Sequence, residues 1–103
     1  MTFDEYQLLA ESTAIFVDPY YPYASLMIES AEFADIVCKP MLRGDDTAIS
    51  REKLVSEAGD ILWNLAVALK RQNIHLSEVA EYNVNKLKSR KERGVLTGNG
   101  GDR

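Results

Sequence analysis

Apolar side chains recur at helical spacing along most of this chain, and nowhere as clearly as between residues 51 and 72. The apolar positions there are Leu54, Val55, Ala58, Ile61, Leu62, Leu65, Ala66 and Leu69. A repeat of every three or four residues places such side chains on one wide face of a helix. No convincing run of alternating β-branched residues, the pattern of a half-buried strand, occurs in the sequence. The chain is therefore predicted to be all-α.

Four helices are predicted, over residues 3–16, 24–39, 51–72 and 78–92. Thr2 with Glu5 three positions later forms a capping-box sequence before the first helix, and Ser50 is a suitable N-cap for the third. Pro40 is predicted to end the second helix, because proline removes a helical N–H. The segment 17–23, which contains two prolines, is predicted to be a loop.

A chain of 103 residues is one domain in length. Residues 1–93 are predicted to form a single all-α domain, and residues 94–103, with four glycines, a flexible tail. Four helices with short connections favour a small antiparallel four-helix bundle. A chain this short buries only about 60–65% of its unfolded surface. We therefore expect it to oligomerise through helix packing, as a homodimer or a dimer of dimers.

The two halves of the chain carry opposite net charge, which bears on the kinds of ligand that the protein can bind. Residues 1–60 carry twelve acidic and four basic side chains, residues 61–103 carry four acidic and eight basic ones, and the net charge is −4. An acidic and a basic half suit a site that handles metal cations and a polyanion, whereas the overall acidity disfavours binding to a nucleic acid polymer. The single Cys38 and the absence of a long apolar run favour a cytoplasmic protein with no membrane association.

Two pairs of acids lie among the apolar residues of the second and third predicted helices. The pairs are Glu29 with Glu32 and Glu57 with Asp60, each with a spacing of three. Such spacing puts both carboxylates of a pair on one helix face, and antiparallel packing would bring the pairs together. Oxygen ligands without Cys or His suit a hard cation, so Mg²⁺ is predicted, with Mn²⁺ as a substitute. The alternative for any single pair is a solvated helix edge.

Two further residues bear on this choice. Gly59 lies between the acids of the second pair, and a glycine inside a helix usually has a packing or close-approach reason. A di-iron carboxylate bundle is disfavoured, because it requires Glu-x-x-His on two helices and the sole histidine, His75, has Gln72 three residues before it. His75 is interpreted as a loop residue before the fourth helix.

Polar and basic side chains follow one face of the fourth predicted helix, at Asn83, Lys86 and Arg90. Arg and Lys bind phosphate oxygens, Arg through a bidentate fork and Lys as a point charge. Alone, such a stripe is more often an exposed helix face. Opposite a carboxylate–metal cluster it predicts the other half of a nucleotide polyphosphate site.

The ordered set of motifs resembles the MazG-like nucleoside triphosphate pyrophosphohydrolases, a family grouped with all-α dimeric dUTPases and phosphoribosyl-ATP pyrophosphohydrolases. The matching motifs are Glu29-Ser30-Ala31-Glu32, Glu57-Ala58-Gly59-Asp60-Ile61-Leu62-Trp63, Asn83-Val84-Asn85-Lys86-Leu87 with Arg90, and the Gly-rich tail. The resemblance implies Mg²⁺-dependent hydrolysis of a (deoxy)nucleoside triphosphate to the monophosphate and pyrophosphate, in nucleotide-pool house-cleaning. Ile28 departs from the family, which often has a second acid at that position.

Carried over residue by residue, the resemblance makes Glu29, Glu32, Glu57 and Asp60 the metal ligands. Glu32 and Glu57 are expected to act in catalysis, with a small preference for Glu32 as the carboxylate that activates water. Asn83, Lys86 and Arg90 are expected to contact the substrate. From the residues themselves, Trp63 or a tyrosine of the segment 20–23 could stack on the base, although a residue such as Trp63 is more often part of the core. The alternatives are a narrow dUTP or dCTP pyrophosphatase and a non-catalytic helical interaction module.

Overall fold

The structure, a computed structural model, describes residues 1–95 and is helical throughout, with no strand in that range. The elements are α1 (Phe3–Ser12), α2 (Tyr21–Leu42), a short 3₁₀ turn (Asp46–Ala48), α3 (Arg51–Arg71) and α4 (Leu76–Glu92). The all-α, four-helix prediction is confirmed. Most of the predicted tail lies outside the described residues. None of the described helices is both long and apolar enough to span a bilayer.

The capping residues predicted for α1 and α3 are confirmed, whereas α4 starts earlier than predicted. The Thr2 side chain accepts a hydrogen bond from the Glu5 N–H at 3.1 Å, and the Glu5 carboxylate accepts one from the Thr2 N–H at 3.0 Å. Ser50 caps α3 by accepting from the Lys53 N–H at 3.2 Å. α4 begins at Leu76, two residues before the predicted start, because His75 is its N-cap and donates its backbone N–H to Glu78 at 2.9 Å.

The limits predicted for α1 and α2 were wrong. α1 ends at Ser12, four residues early, while α2 starts within the predicted loop and continues past Pro40. Pro22 lies in the first turn of α2, where backbone N–H groups have no intrahelical partner and proline is tolerated. Pro40 lies in the last turn, so its missing N–H removes a single helical hydrogen bond near an end that frays anyway.

The core is small and lies where α1 crosses the carboxyl-terminal half of α3. Its buried apolar residues are Ala10, Ala66, Val67 and Leu76. Gln7, only 1% exposed, lies against this core. Its amide donates to the carbonyl oxygens of Ala66 and Ile74, both at 3.0 Å, and its carbonyl accepts the Leu76 N–H at 3.0 Å. One side chain thus joins α1 to α3, to the α3–α4 connection and to the start of α4.

α4 packs chiefly against α1 rather than along α2 and α3. Asp4 of α1 fixes its start by accepting hydrogen bonds from the Ser77 hydroxyl at 2.8 Å and the Ser77 N–H at 3.1 Å, which lower the pKa of Asp4. The radius of gyration is 16.5 Å, against about 13 Å for a compact chain of this length. The most extensive helix–helix contact is that between α2 and α3, and α4 lies against α1 instead of joining this pair.

Candidate active site

The pairing of α2 with α3 determines which side chains meet. Ser25, Glu29 and Glu32 lie on successive turns of α2. They face Asn64, Asp60 and Glu57, whose order along α3 is the reverse. The two helices are therefore antiparallel, as the short connections predict. The Ser25–Asn64 contact is a hydrogen bond of 3.2 Å and lies one turn above the carboxylates.

Three of the four predicted acids form one cluster. One carboxylate oxygen from each of Glu29, Glu57 and Asp60 lies within 4.8 Å of the others. The two glutamates are half-buried and Asp60 is exposed. Glu32 is exposed and stands beside the cluster, close enough for its charge to act on Glu29. The spacing argument thus placed both pairs on facing surfaces, with Glu32 at the margin.

Crowding of like charges changes the protonation of Glu29. The pKa of Glu29 is raised from 4.5 to about 7, first because its carboxyl can share a hydrogen bond with that of Glu57, then because of burial and the charges of Glu32 and Asp60. Without a cation, one proton is therefore held within the cluster near neutral pH.

This protonation predicts a pH-dependent stability of the metal-free protein. Since the folded state holds the Glu29 proton more tightly than the unfolded state, unfolding releases it between about pH 4.5 and 7. The contribution of Glu29 to stability should be greatest below pH 4.5, fall as the pH rises to about 7, and then level off. Thermal unfolding in EDTA across this range is the measurement, and Glu29→Gln should flatten the profile. A profile unchanged by that substitution would contradict the crowded arrangement.

The same oxygens show whether the cluster suits a cation. Within residues 1–95, the buried Oε2 atoms of Glu29 and Glu57 have no hydrogen-bond donor. Buried carboxylate oxygens without a donor are unfavourable, and a hard divalent cation would relieve both the missing contacts and the repulsion. The residues present therefore fit a divalent ion such as Mg²⁺.

Asn64 supports the cluster from the turn above. It is 2% exposed, and its amide donates to the Asp60 carbonyl oxygen at 2.9 Å as well as to Ser25. These bonds fix α2 and α3 relative to each other next to the acids. This geometry favours a supporting role for Asn64 rather than contact with a substrate.

A groove of about 380 Å³ extends from the acids towards the connection between α2 and α3. Glu32 and Glu57 form one end, and the remaining lining includes three basic side chains, Lys39, Lys53 and Arg43, together with one acid, Asp35. The sequence analysis missed these three residues. A signal existed for Lys53, which precedes Glu57 by one helical turn and so shares its face. Acidic and basic groups along a single groove are what a metal–polyphosphate ligand requires.

The residues predicted on α4 are placed elsewhere. Asn83 and Lys86 line a separate hollow with Ile74 and Tyr82, away from the groove. Arg90 is buried, at 8% exposure. Since α4 packs chiefly against α1, the described part of the chain does not bring these side chains to the carboxylates. Their contact with substrate stays a prediction.

Trp63 is half-buried and packs against the core. Its indole N–H donates to the Thr13 hydroxyl at 2.8 Å, and its ring meets Phe16 edge-on at 6.1 Å. Phe16 in turn stacks on Tyr21 at 5.1 Å. These contacts explain Trp63 as a residue that joins α1 to α3, and base stacking by Trp63 stays a prediction.

Comparison with known proteins identifies the family. Residues 22–95 match the MazG nucleotide pyrophosphohydrolase domain, a range that contains all four acids and α4. The chain belongs to the MazG family. This MazG chain is also 36% identical, over 115 aligned residues that cover all of both chains, to the Gene 37 protein of Mycobacterium phage L5. No solved structure matches it. The family consists of nucleotide pyrophosphohydrolases, which are hydrolases, and generally uses a divalent metal.

Proposed function

We propose that this protein hydrolyses (deoxy)nucleoside triphosphates to the monophosphate and pyrophosphate, as a cytoplasmic house-cleaning enzyme of the nucleotide pool. One observation carries the proposal: three carboxylates converge within 4.8 Å, and one of them, Glu57, also lines a groove that contains Lys39, Lys53 and Arg43. A triphosphate with a bound cation has the complementary pattern of charge. A membership in the MazG family supports the class of reaction.

The cofactor in this proposal is Mg²⁺, with Mn²⁺ as a substitute. Glu29, Glu57 and Asp60 would hold it, and Glu32 stands close enough to add a fourth carboxylate. When bound, the ion would supply an activated water and offset charge on the phosphates.

The chain's own groups supply positioning and proton transfer. Glu32 is exposed at the mouth of the groove, so its carboxylate is available to accept the proton of the attacking water. Lys53 lies one turn from Glu57 on the same groove wall, where its ammonium would hold the phosphates that leave as pyrophosphate. Because phosphoryl transfer needs little covalent chemistry from the protein, orientation and charge neutralisation are sufficient roles for these residues.

The decisive experiment is a panel of the common ribo- and deoxyribonucleoside triphosphates, each incubated with the protein and Mg²⁺ or Mn²⁺. Pyrophosphate and monophosphate should form in equal amounts. Release of orthophosphate and a diphosphate instead would contradict the proposed bond cleavage. Turnover confined to dUTP or dCTP would identify a narrow pyrophosphatase, and no turnover of any triphosphate would leave a non-catalytic helical module.

We further propose that the active form is a homodimer or a dimer of dimers, in which α4 of one copy completes the site of another. The expanded shape and the distance of α4 from the acids favour this. Gly59 also favours this assembly. A Cβ added at Gly59 would meet no atom of the described residues within 4 Å outside its own helix backbone, so any neighbour that requires a glycine there would belong to another copy. Many large apolar side chains are also exposed, including Met27, Ile28, Val55, Val79, Tyr82 and Val84.

A complementation experiment tests this shared site. Lys86→Ala alone should raise KM or lower kcat without changing the affinity for metal, because Lys86 is predicted to bind phosphate. If Lys86 acts across an interface, mixing inactive Glu57→Gln with Lys86→Ala should restore activity to about a quarter of the wild-type value, since mixed dimers contain one intact site. No recovery after subunit exchange, shown by mass spectrometry to have occurred, would contradict the shared site.

A further inference from the structure

We propose that the groove's far end binds phosphate groups beyond those of a triphosphate, so that nucleoside 5′-tetraphosphates are also substrates and are preferred. The inference rests on the proposed hydrolase function and concerns the length of phosphate chain that the site accepts. The residue that carries it is Arg43, at the carboxyl-terminal end of α2.

The first argument is charge. Lys39 forms an ion pair with Asp35 at 2.7 Å, so these two groove residues offset each other. The side chains of Lys53 and Arg43 have no ion pair or hydrogen bond within residues 1–95. With the carboxylates at the other end neutralised by a cation, two uncompensated positive charges remain along the groove. An anion in the groove would pair with both.

The second argument is distance. Lys53 precedes Glu57 by four residues, or about 6 Å of helix, which is close to the length of a pyrophosphate group. Arg43 follows Glu32 by eleven residues, or about 16 Å along α2. An extended arginine side chain shortens that gap without closing it. A pyrophosphate leaving group would thus reach Lys53 and stop short of Arg43, while a chain one phosphate longer extends towards it.

The groove is also built to accept an anion at that end. Ser50, the N-cap of α3, lines it next to Lys53, so the positive end of the 21-residue α3 dipole opens there. The lining on the α2–α3 connection is the small side chain of Ala48, which leaves room for a ligand. The dipole therefore adds to the positive charge that Lys53 and Arg43 place along the groove beyond the acids.

The reaction on a tetraphosphate follows the same course as on a triphosphate. The water oxygen forms a bond to the α-phosphorus, and the bond between that phosphorus and the oxygen bridging to the β-phosphorus breaks. The bridging oxygen leaves with the electron pair on tripolyphosphate, and the water proton passes to the Glu32 carboxylate. The products are the nucleoside monophosphate and tripolyphosphate, with no oxidant or reductant involved.

The test compares kcat/KM for the tri- and tetraphosphate of the nucleoside that the panel ranks first, with products separated by ion chromatography. Wild-type protein should favour the tetraphosphate. Arg43→Gln should lower kcat/KM for the tetraphosphate about tenfold and for the triphosphate less than about twofold, as expected for loss of one charge-assisted contact. Lys53→Gln should lower both to a similar degree. Arg51→Gln, an exposed arginine outside the groove, is the matched control and should change neither.

Each outcome decides between the two levels of proposal. Equal effects of Arg43→Gln on both substrates, no effect on either, or no preference of the wild type for the tetraphosphate would overturn this inference while leaving triphosphate hydrolysis intact. Failure to hydrolyse any triphosphate would overturn the proposed function and this inference with it. Because Arg43 is exposed and its capping contacts are made by its backbone N–H, the variant should retain the wild-type helicity and Tm.

Discussion

Replacing Glu57 with glutamine should lower turnover by at least about 10³-fold, because a bound metal ion contributes several kcal/mol to transition-state stabilisation and each 1.4 kcal/mol is about tenfold in rate. Among the described residues, Glu57 is the one acid that belongs to both the carboxylate cluster and the groove. The substitution keeps the size of the side chain but removes the charge. Its effect should therefore fall on chemistry and metal affinity rather than on helix packing.

The same substitution should stabilise the metal-free protein. The largest cause of the raised Glu29 pKa is a hydrogen bond with the Glu57 carboxyl, and the charge of Glu57 adds to it. An amide in place of Glu57 removes that charge and supplies a donor to the Glu29 carboxylate. Tm in EDTA should rise, while the additional stabilisation by Mg²⁺ should be lost. Opposite changes in activity and in metal-free stability are a signature that loss of folding cannot produce.

Glu52→Gln is the matched control, since Glu52 is an exposed acid of the same helix that does not line the groove. It should leave turnover, Tm and the response to Mg²⁺ unchanged. Full activity in Glu57→Gln, or equal losses in the two variants, would remove the carboxylate cluster from the chemistry.

The acid pairs could be predicted because their positions depend only on helix periodicity. A spacing of three fixes two carboxylates on one face, and short connections make antiparallel neighbours the default. Glu29, Glu57 and Asp60 therefore met as expected. The length of α2 was less accessible, because a proline near a helix end is tolerated at little energetic expense and the sequence alone does not say how near the end Pro40 lies.

The basic part of the groove depends on the tertiary fold. Lys39 and Arg43 are ordinary surface cations by sequence, and they face Lys53 only because the connection returns the chain along α2. The direction of α4 was equally hidden. Its stripe of Asn83 and Lys86 predicts a face but not a partner for it, and side-chain contacts from α1 decide where that face points.

Gln7 makes three further hydrogen bonds from α1, to α3, to the α3–α4 connection and to the start of α4. Gln7→Ala should therefore destabilise the protein by about 3 kcal/mol. The substitution would leave the buried Leu76 N–H without its acceptor and remove a donor from the carbonyls of Ala66 and Ile74. For a chain of this size, the corresponding fall in Tm is roughly 15 °C. Thermal unfolding followed by circular dichroism measures it.

Two further variants separate this account from general sensitivity to substitution. Gln72→Ala removes an exposed glutamine just beyond α3 and should change Tm little. Gln7→Glu keeps the shape and the acceptor for Leu76 but cannot donate to the two carbonyls when ionised, so it should be at least as destabilising as alanine at neutral pH. That result would show that Gln7 acts through its donors as well as through its acceptor, since its amide faces the carbonyl oxygens of Ala66 and Ile74. A Gln7→Glu variant as stable as the wild type would show instead that the acceptor alone holds α4 to α1.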